Sequence, residues 1–141
     1  MRRRALSCAA AGLVVAAIVP AASAGSMRTS ALPVPLTGTW TRTVSKADVT
    51  RTQGAASLIG AVCTFTVKAG GTAHIACTGS SGAEFGGYVV AAGHNRVHLN
   101  LGIPSPDVYS WLVAGQTLTL TKVSDTVPDR VAVFVGVWKR K

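Results

Sequence analysis

The sequence predicts an all-β domain, an eight-stranded antiparallel up-and-down barrel with a short helical turn after strand one. From Thr37 onward, short runs alternate apolar and polar residues, as half-buried strands do. Glycine-containing turns separate these runs closely enough to form tight hairpins. Residues 38–42 (GTWTR) and 136–140 (GVWKR) share the pattern Gly-x-Trp-x-Arg. A closed barrel, which has no sheet edges, would bring these first and last segments together.

The N-terminal region predicts export. Three arginines follow Met1, an apolar stretch spans 5–19, and Ala22-Ser23-Ala24 is a small-residue cleavage pattern. Together they predict a signal peptide over 1–24, removed near Ala24. The apolar stretch is shorter than the roughly 20 residues of a membrane-spanning helix. We therefore expect a secreted or extracytoplasmic protein with no transmembrane segment in the mature chain.

The remaining chain divides into two parts. Residues 25–36 contain two prolines and no periodicity, which indicates a flexible leader. Residues 37–141 form the barrel domain. Of the 14 Lys and Arg residues, three belong to the predicted signal peptide. The mature chain therefore has 11 basic and five acidic residues. These bases are scattered except at 139–141, and no basic stripe interleaves with aromatics, so we expect no nucleic-acid partner.

Strand one is predicted at 37–44, followed by a helical turn. Ser45 is a good N-cap residue, and Asp48 stands three positions later, as in a capping box. The helical turn should extend to about Gln53. The other strands are predicted near 60–68, 72–78, 85–92, 96–101, 108–113, 117–123 and 132–140.

Cys63 and Cys77 are predicted to form a disulfide between strands two and three. A three-residue turn at 69–71 pairs Val67 with Ala73, Phe65 with Ile75, and Cys63 with Cys77, which keeps every apolar side chain on one face. Cys8 leaves with the signal peptide, so these are the two cysteines of the mature chain. An oxidising compartment favours their bridge independently.

Two further hairpins complete the barrel. One turns at 93–95. The other turns at Ala114-Gly115, so that Trp111 faces Leu118 and Tyr109 faces Leu120. We expect a loop over 124–129 and the last strand from Val131 to Lys139.

No motif in the sequence indicates catalysis or a cofactor. His94 and His98 would lie ~13 Å apart along a strand, too far to share a metal ion. The five acidic residues fall at turns or helix starts, where carboxylates usually cap or remain solvated. The chain contains no nucleophile elbow, zinc-protease motif or phosphate-binding glycine loop. We therefore expect a non-enzymatic protein without metal or cofactor.

The Gly38-x-Trp40 motif on the first strand resembles the lipocalin-like (calycin) group. This resemblance implies that Trp40 closes one barrel end beneath Arg140. Tyr109-x-Trp111-x-x-x-Gly115, Leu118-x-Leu120 and Trp138-x-Arg140 also resemble small exported bacterial lipocalin-like proteins. The repeated Gly-x-Trp-x-Arg pattern itself predicts barrel closure by Gly38, Trp40, Trp138 and Arg140. It places both indoles near one end, with Arg42 or Arg140 able to cover an indole face. The loop motif typical of classical lipocalins is missing.

The expected function follows from the inward side chains. They either pack the barrel or line a ligand cavity, and an eight-stranded barrel allows both. The candidate ligand-lining residues are Phe65, Ile75, Tyr88, Tyr109, Trp111 and Leu118. We expect a monomer that binds a small apolar or amphipathic ligand. The alternative is a protein-binding module, such as an exported protease inhibitor that projects its leader.

Overall fold

Eight antiparallel strands close into an up-and-down barrel, which confirms the predicted fold class. The structure is a computed structural model that describes residues 34–79, 82, 84–102 and 107–141. The predicted signal peptide and residues 25–33 lie outside the described residues. The strands are β1 (Gly38–Thr43), β2 (Val62–Val67), β3 (Thr72–Thr78), β4 (Glu84–Ala91), β5 (Arg96–Leu101), β6 (Asp107–Ala114), β7 (Thr117–Asp125) and β8 (Gly136–Arg140).

The first and last strands pair directly, as the repeated pentapeptide predicted. Trp40 lies opposite Arg140, and Thr41 lies opposite Lys139. The barrel therefore has no unpaired sheet edge, the feature that exposes many β-proteins to edge-to-edge association.

The β2–β3 hairpin has the predicted register and disulfide. Cys63 lies opposite Cys77, Phe65 opposite Ile75, and Val67 opposite Ala73. The two cysteines are disulfide-bonded. Gly71 has a φ of +83°, the left-handed conformation that this turn requires of its last residue.

The predicted helical turn after β1 is the helix α1 (Lys46–Thr52). The Ser45 hydroxyl accepts from the Asp48 N–H at 3.1 Å, and the Asp48 carboxylate accepts from the Ser45 N–H at 2.9 Å. This reciprocal pair is a capping box. Short 3-10 turns also occur at Val34–Leu36 and Ala56–Leu58.

The prediction of a continuous last strand from Val131 to Lys139 is wrong at its start. A second helix, α2 (Pro128–Phe134), precedes β8, and it also replaces part of the loop predicted over 124–129. Pro128 stands in the first turn, where its fixed φ and missing N–H suit a helix. The valines of this segment suggested a strand. Burial of Val131 and Phe134, three positions apart on one helical face, outweighs that local preference.

The β6–β7 turn is one position later than predicted. Gly115 and Gln116 form the turn, so Trp111 lies opposite Leu120 and Val113 opposite Leu118. Gly115 has a φ of +57° and occupies the first central position, which is the glycine position of a type II′ turn. The pairing shifts by two residues, so each side chain keeps its predicted face.

The two ends of the barrel differ, and we name them by their contents. The hairpin end is where β1 begins; it holds the turns at 68–71, 92–95 and 115–116 and residues 139–141. The helical end is where β1 ends; it holds α1, α2 and the turn Ala56–Leu58. Within the described residues, no helix is long and apolar enough to cross a membrane.

The folded part begins before the predicted boundary at residue 37. Leu36 is fully buried, and its carbonyl accepts a 3.0 Å hydrogen bond from the Trp40 indole N–H. The last residue of the predicted leader, Leu36, is thus part of the core at the hairpin end.

Candidate ligand pocket at the helical end

A cavity of about 240 Å³ lies at the helical end, between the barrel mouth and the helical segments that cover it. Its wall is largely apolar, with three polar residues, Ser57, Asp129 and Arg130, from the covering segments. The apolar lining residues come from α2 and its N-cap, the Ala56–Leu58 turn and three strands: Leu58, Ile75, Cys77, Phe85, Leu101, Val127, Val133 and Phe134.

Phe134, the last residue of α2, forms the boundary between this pocket and the barrel centre. Its ring lies 5.5 Å from Phe65 in an edge-to-face contact, 5.9 Å from Tyr109 and 6.2 Å from Trp138, measured between centroids. Offset and edge-to-face pairs at these distances are favourable aromatic geometries. The side chain of Phe134 therefore packs the centre of the barrel on one side and lines the pocket on the other.

A buried ion pair fixes the position of α2 over the barrel mouth. Arg130 donates from Nε to Asp125 Oδ2 at 2.6 Å and from Nη2 to Asp125 Oδ1 at 2.9 Å. Asp125 also accepts from the Tyr109 hydroxyl and from the Val127 N–H. A two-point Arg–carboxylate contact defines orientation as well as distance.

The ionisation of this group follows from its contacts. Burial alone would raise the pKa of Asp125, but hydrogen bonds from Arg130, Tyr109 and Val127 outweigh it, and the pKa is lowered. Burial raises the pKa of Tyr109, and the hydrogen bond to Asp125 raises it further. The hydrogen bond to Asp125 raises the pKa of Arg130. Asp125 and Arg130 are thus charged at neutral pH, and Tyr109 is a neutral donor.

The covering segments are also joined to each other. Asp129 Oδ1 accepts a 2.7 Å hydrogen bond from the Ala55 N–H, immediately before the Ala56–Leu58 turn. This contact connects α2 to the turn across the pocket rim. The pocket roof is therefore composed of two segments that are joined by a hydrogen bond.

The predicted ligand-lining residues separate into three groups. Ile75 lines the pocket. Phe65, Tyr109 and Leu118 are fully buried in the packed centre of the barrel. Trp111 is half-buried against the core, and its indole N–H has no hydrogen-bond partner in the described part of the chain.

The placement of Tyr88 among the inward residues is wrong. Its side chain is 61% exposed, and the next residue, Val89, faces the core instead. Tyr88 pairs with Thr72 and Asn100, both of which are exposed. The polar partner Asn100 in the predicted second hairpin was the sequence signal for this outward face.

Five of the eleven pocket residues were missed because the covering helix was not predicted. Val127, Val133 and Phe134 reach the pocket only through α2. Arg130, Val131 and Phe134 are buried at the spacing of a helical face, which is the sequence signal that could have identified them. Phe85 is the second residue of β4 and Leu101 is the last residue of β5, at the strand ends where inward residues meet the mouth of the barrel.

The predicted closure residues meet, but the two indoles face different ends. Arg140 lies over Trp40, 4.3 Å from the ring centroid, at the hairpin end. Trp138 instead contacts Phe134 and lies beneath Arg42, 5.7 Å away, toward the helical end. Because the strands are antiparallel, two motifs in opposite directions point to opposite ends.

The described residues offer little catalytic or metal-binding geometry. His98 Nδ1 lies 3.3 Å from Asp107 Oδ1, and Asp107 is buried. Within the described ranges, His98 makes no hydrogen bond to a hydroxyl, as a nucleophile–base pair would require. The same residues contain no group of three or more His, Cys, Asp or Glu that could hold a metal ion.

Comparison with known proteins returns no family model, no curated protein and no solved structure that matches this chain.

Proposed function

We propose that this protein is an exported, non-catalytic binding protein of the lipocalin-like (calycin) group that takes a small apolar ligand in the pocket at the helical end. The observation that supports it most directly is the apolar cavity of about 240 Å³ between Phe134, Leu101, Ile75 and Leu58. The packing of Arg140 on Trp40 supports the lipocalin-like assignment.

The volume of the cavity limits the ligand. An apolar cavity of about 150 Å³ holds benzene, so the same proportion gives roughly ten carbon atoms here. Ligand pockets for drug-sized molecules usually start near 300 Å³. The pocket therefore suits a short alkyl chain or a one- or two-ring compound better than a long-chain fatty acid or a retinoid.

The charges around the pocket favour a neutral ligand. Arg130 is the cationic residue of the lining, and Asp125 already holds its guanidinium through two hydrogen bonds. Asp129 adds a carboxylate at the rim. A ligand carboxylate would meet a neutralised arginine and a repelling aspartate, whereas an alcohol could place its hydroxyl near Ser57 or Asp129.

The test is titration with 1-decanol, decanoate and a long-chain alcohol, followed by calorimetry and tryptophan fluorescence. Trp138 contacts the pocket residue Phe134, so binding should change its emission, and Trp138→Phe should remove that change. We expect 1-decanol to bind more tightly than decanoate. Val133→Phe should fill the pocket and weaken binding at least tenfold.

The matched control is Val137→Phe, which places the same side chain on an exposed strand position that does not line the pocket. It should bind like the parent. The proposal fails if no neutral compound binds the folded parent, or if both variants lose binding equally.

The packed aromatic centre of the barrel is compatible with the alternative function, a protein-binding module, because an inhibitor needs no internal cavity. Its test is separate: the full chain is assayed against representative serine, cysteine and metalloproteases. Stoichiometric inhibition without any small-molecule binding would favour this alternative.

A further inference from the structure

We propose that the hairpin end of the barrel binds the surface of a membrane rich in anionic lipid. Five exposed basic residues lie at this end: Lys68 in the β2–β3 turn, Arg96 at the start of β5, and Lys139, Arg140 and Lys141 at the end of β8. Two exposed aliphatic side chains, Val34 and Leu112, lie at the same end.

The topology of the barrel brings these basic residues together. Odd-numbered strands begin at the hairpin end and even-numbered strands finish there, because every neighbouring pair is antiparallel. Arg96 begins an odd-numbered strand, and Lys68 follows the end of an even-numbered one. The sequence therefore scatters the cations, but the fold gathers them at one rim.

All acidic residues of the chain lie toward the opposite end. Asp48 is in α1, Asp129 is in α2, Glu84 and Asp107 begin even-numbered strands, and Asp125 ends an odd-numbered one. These are the five acidic residues of the full sequence. All carboxylate side chains therefore lie away from the hairpin end along the barrel axis.

Four of these five carboxylates form ion pairs, and the fifth, Asp129, accepts a hydrogen bond from the Ala55 N–H. Asp48 pairs with Arg42 and Arg51, Glu84 with His74, Asp107 with His98, and Asp125 with Arg130. Within the described residues, none of the five cations at the hairpin end forms an ion pair. Their positive field is thus not neutralised by neighbouring carboxylate side chains.

The two aliphatic side chains distinguish a lipid surface from a soluble polyanion. Val34 is 79% exposed and lies before the start of β1, and Leu112 is 62% exposed and lies two residues before the end of β6, so both belong to the hairpin end. A polyanion gains nothing from apolar contact, whereas a bilayer interface accepts aliphatic side chains below the headgroups while Lys and Arg remain at headgroup level. The combination of unpaired cations and exposed aliphatics favours the lipid.

The test is co-sedimentation of the full chain, after signal-peptide removal, with vesicles of phosphatidylcholine alone or mixed with phosphatidylglycerol. We expect binding to the mixed vesicles only, and its loss at high salt. Each cation near an anionic surface should contribute about fivefold in affinity, so Lys139→Gln with Lys141→Gln should weaken binding about 25-fold. Arg140 remains unchanged because it covers Trp40.

The matched controls are the same types of substitution made at other positions. Lys46→Gln with Lys122→Gln removes two charges away from the hairpin end and should leave vesicle binding within about twofold of the parent. Leu112→Ser should weaken vesicle binding, whereas Val123→Ser, near the end of β7 at the helical end, should not. Circular dichroism of each variant shows that the fold is retained.

Three outcomes overturn the proposal. An equal loss of vesicle binding in the two double lysine variants would indicate attraction by net charge alone. Binding to soluble heparin that is as tight as binding to vesicles and insensitive to Leu112→Ser would indicate a polyanion. Absence of binding to mixed vesicles at low salt would mean that this end does not recognise lipid.

Discussion

The two Gly-x-Trp-x-Arg segments have the same local geometry but different surroundings. In both, the indole N–H donates to the carbonyl four residues earlier at 3.0 Å, from Trp40 to Leu36 and from Trp138 to Phe134. In both, the glycine has a strongly positive φ, +135° at Gly38 and +140° at Gly136. Each arginine lies over the tryptophan of the other segment.

The arginines differ in what surrounds them. Arg42 is buried, forms a 2.6 Å ion pair with Asp48, and donates to the carbonyls of Val133 and Val135. Arg140 is exposed, and its guanidinium donates to the carbonyls of Thr37 and Pro35 at 3.3 Å. The same motif thus holds two helices together at one end, and at the other end its exposed arginine covers a buried indole.

The largest expected difference is between Arg42→Ala and Arg140→Ala. Loss of Arg42 leaves Asp48 without its buried partner and two carbonyls without their donor, which should cost about 3–5 kcal/mol. Loss of Arg140 removes an exposed cation–π contact worth about 0.5–1 kcal/mol, together with two long hydrogen bonds. Urea unfolding of both variants measures the difference, and equal losses would contradict it.

Replacing each of the two glycines by alanine should also destabilise the Arg42 side more than the Arg140 side, but with a smaller difference. Both positions lie in the left-handed region, so strain of about 1–3 kcal/mol is common to them. A Cβ at Gly136 would lie 2.9 Å from the Arg42 guanidinium carbon, within a buried network that cannot move freely. A Cβ at Gly38 would lie 2.8 Å from Arg140 Nη1, the end of an exposed side chain that can swing away.

Gly136→Ala should therefore lower the thermal midpoint more than Gly38→Ala. If the Arg140 side chain already moves aside for the new Cβ, adding Arg140→Ala to Gly38→Ala should restore none of the lost thermal midpoint. A larger loss for Gly38→Ala than for Gly136→Ala would show that Arg140 is held as rigidly as Arg42.

The sequence was sufficient to predict local strand pairing but not the roof of the barrel. The register of Cys63 with Cys77 follows from alternation and turn chemistry alone, because both act within 15 residues. The pairing of β1 with β8 was predictable because the two ends carry one pattern. In each case a short-range rule or a visible repeat was enough.

The position of α2, and hence of the pocket, depended on tertiary contacts. The segment around Val131 and Val133 prefers a strand locally, but Phe134 must reach Phe65 and Tyr109, and Arg130 must reach Asp125. These partners are remote in sequence or belong to a cluster that exists only once the barrel closes. The candidate site was therefore predicted as an interior cavity, and the structure instead shows a packed interior with a pocket above it.

The smallest expected effect is a difference between the two segments in how acid changes the stability of the fold. Burial alone would raise the pKa of Asp48, but hydrogen bonds from Ser45 and the charges of Arg42 and Arg51 outweigh it, so the pKa lies below its ordinary value of 3.8. A carboxylate with a lowered folded-state pKa stabilises the fold fully above the unfolded-state value, and this contribution disappears as the pH falls through the folded-state value.

Stability should thus fall below about pH 4, and Asp48→Asn should be less sensitive to acid than the parent. Asp125, whose pKa is also lowered, maintains part of the acid response in that variant. Among the described residues, Arg140 has no carboxylate partner, so Arg140→Gln should keep the full acid response of the parent. Urea midpoints measured from neutral pH down to about pH 3 compare the three proteins. A response in Asp48→Asn as steep as that of the parent would mean that Asp48 is not the acid-sensitive group of the Arg42 segment.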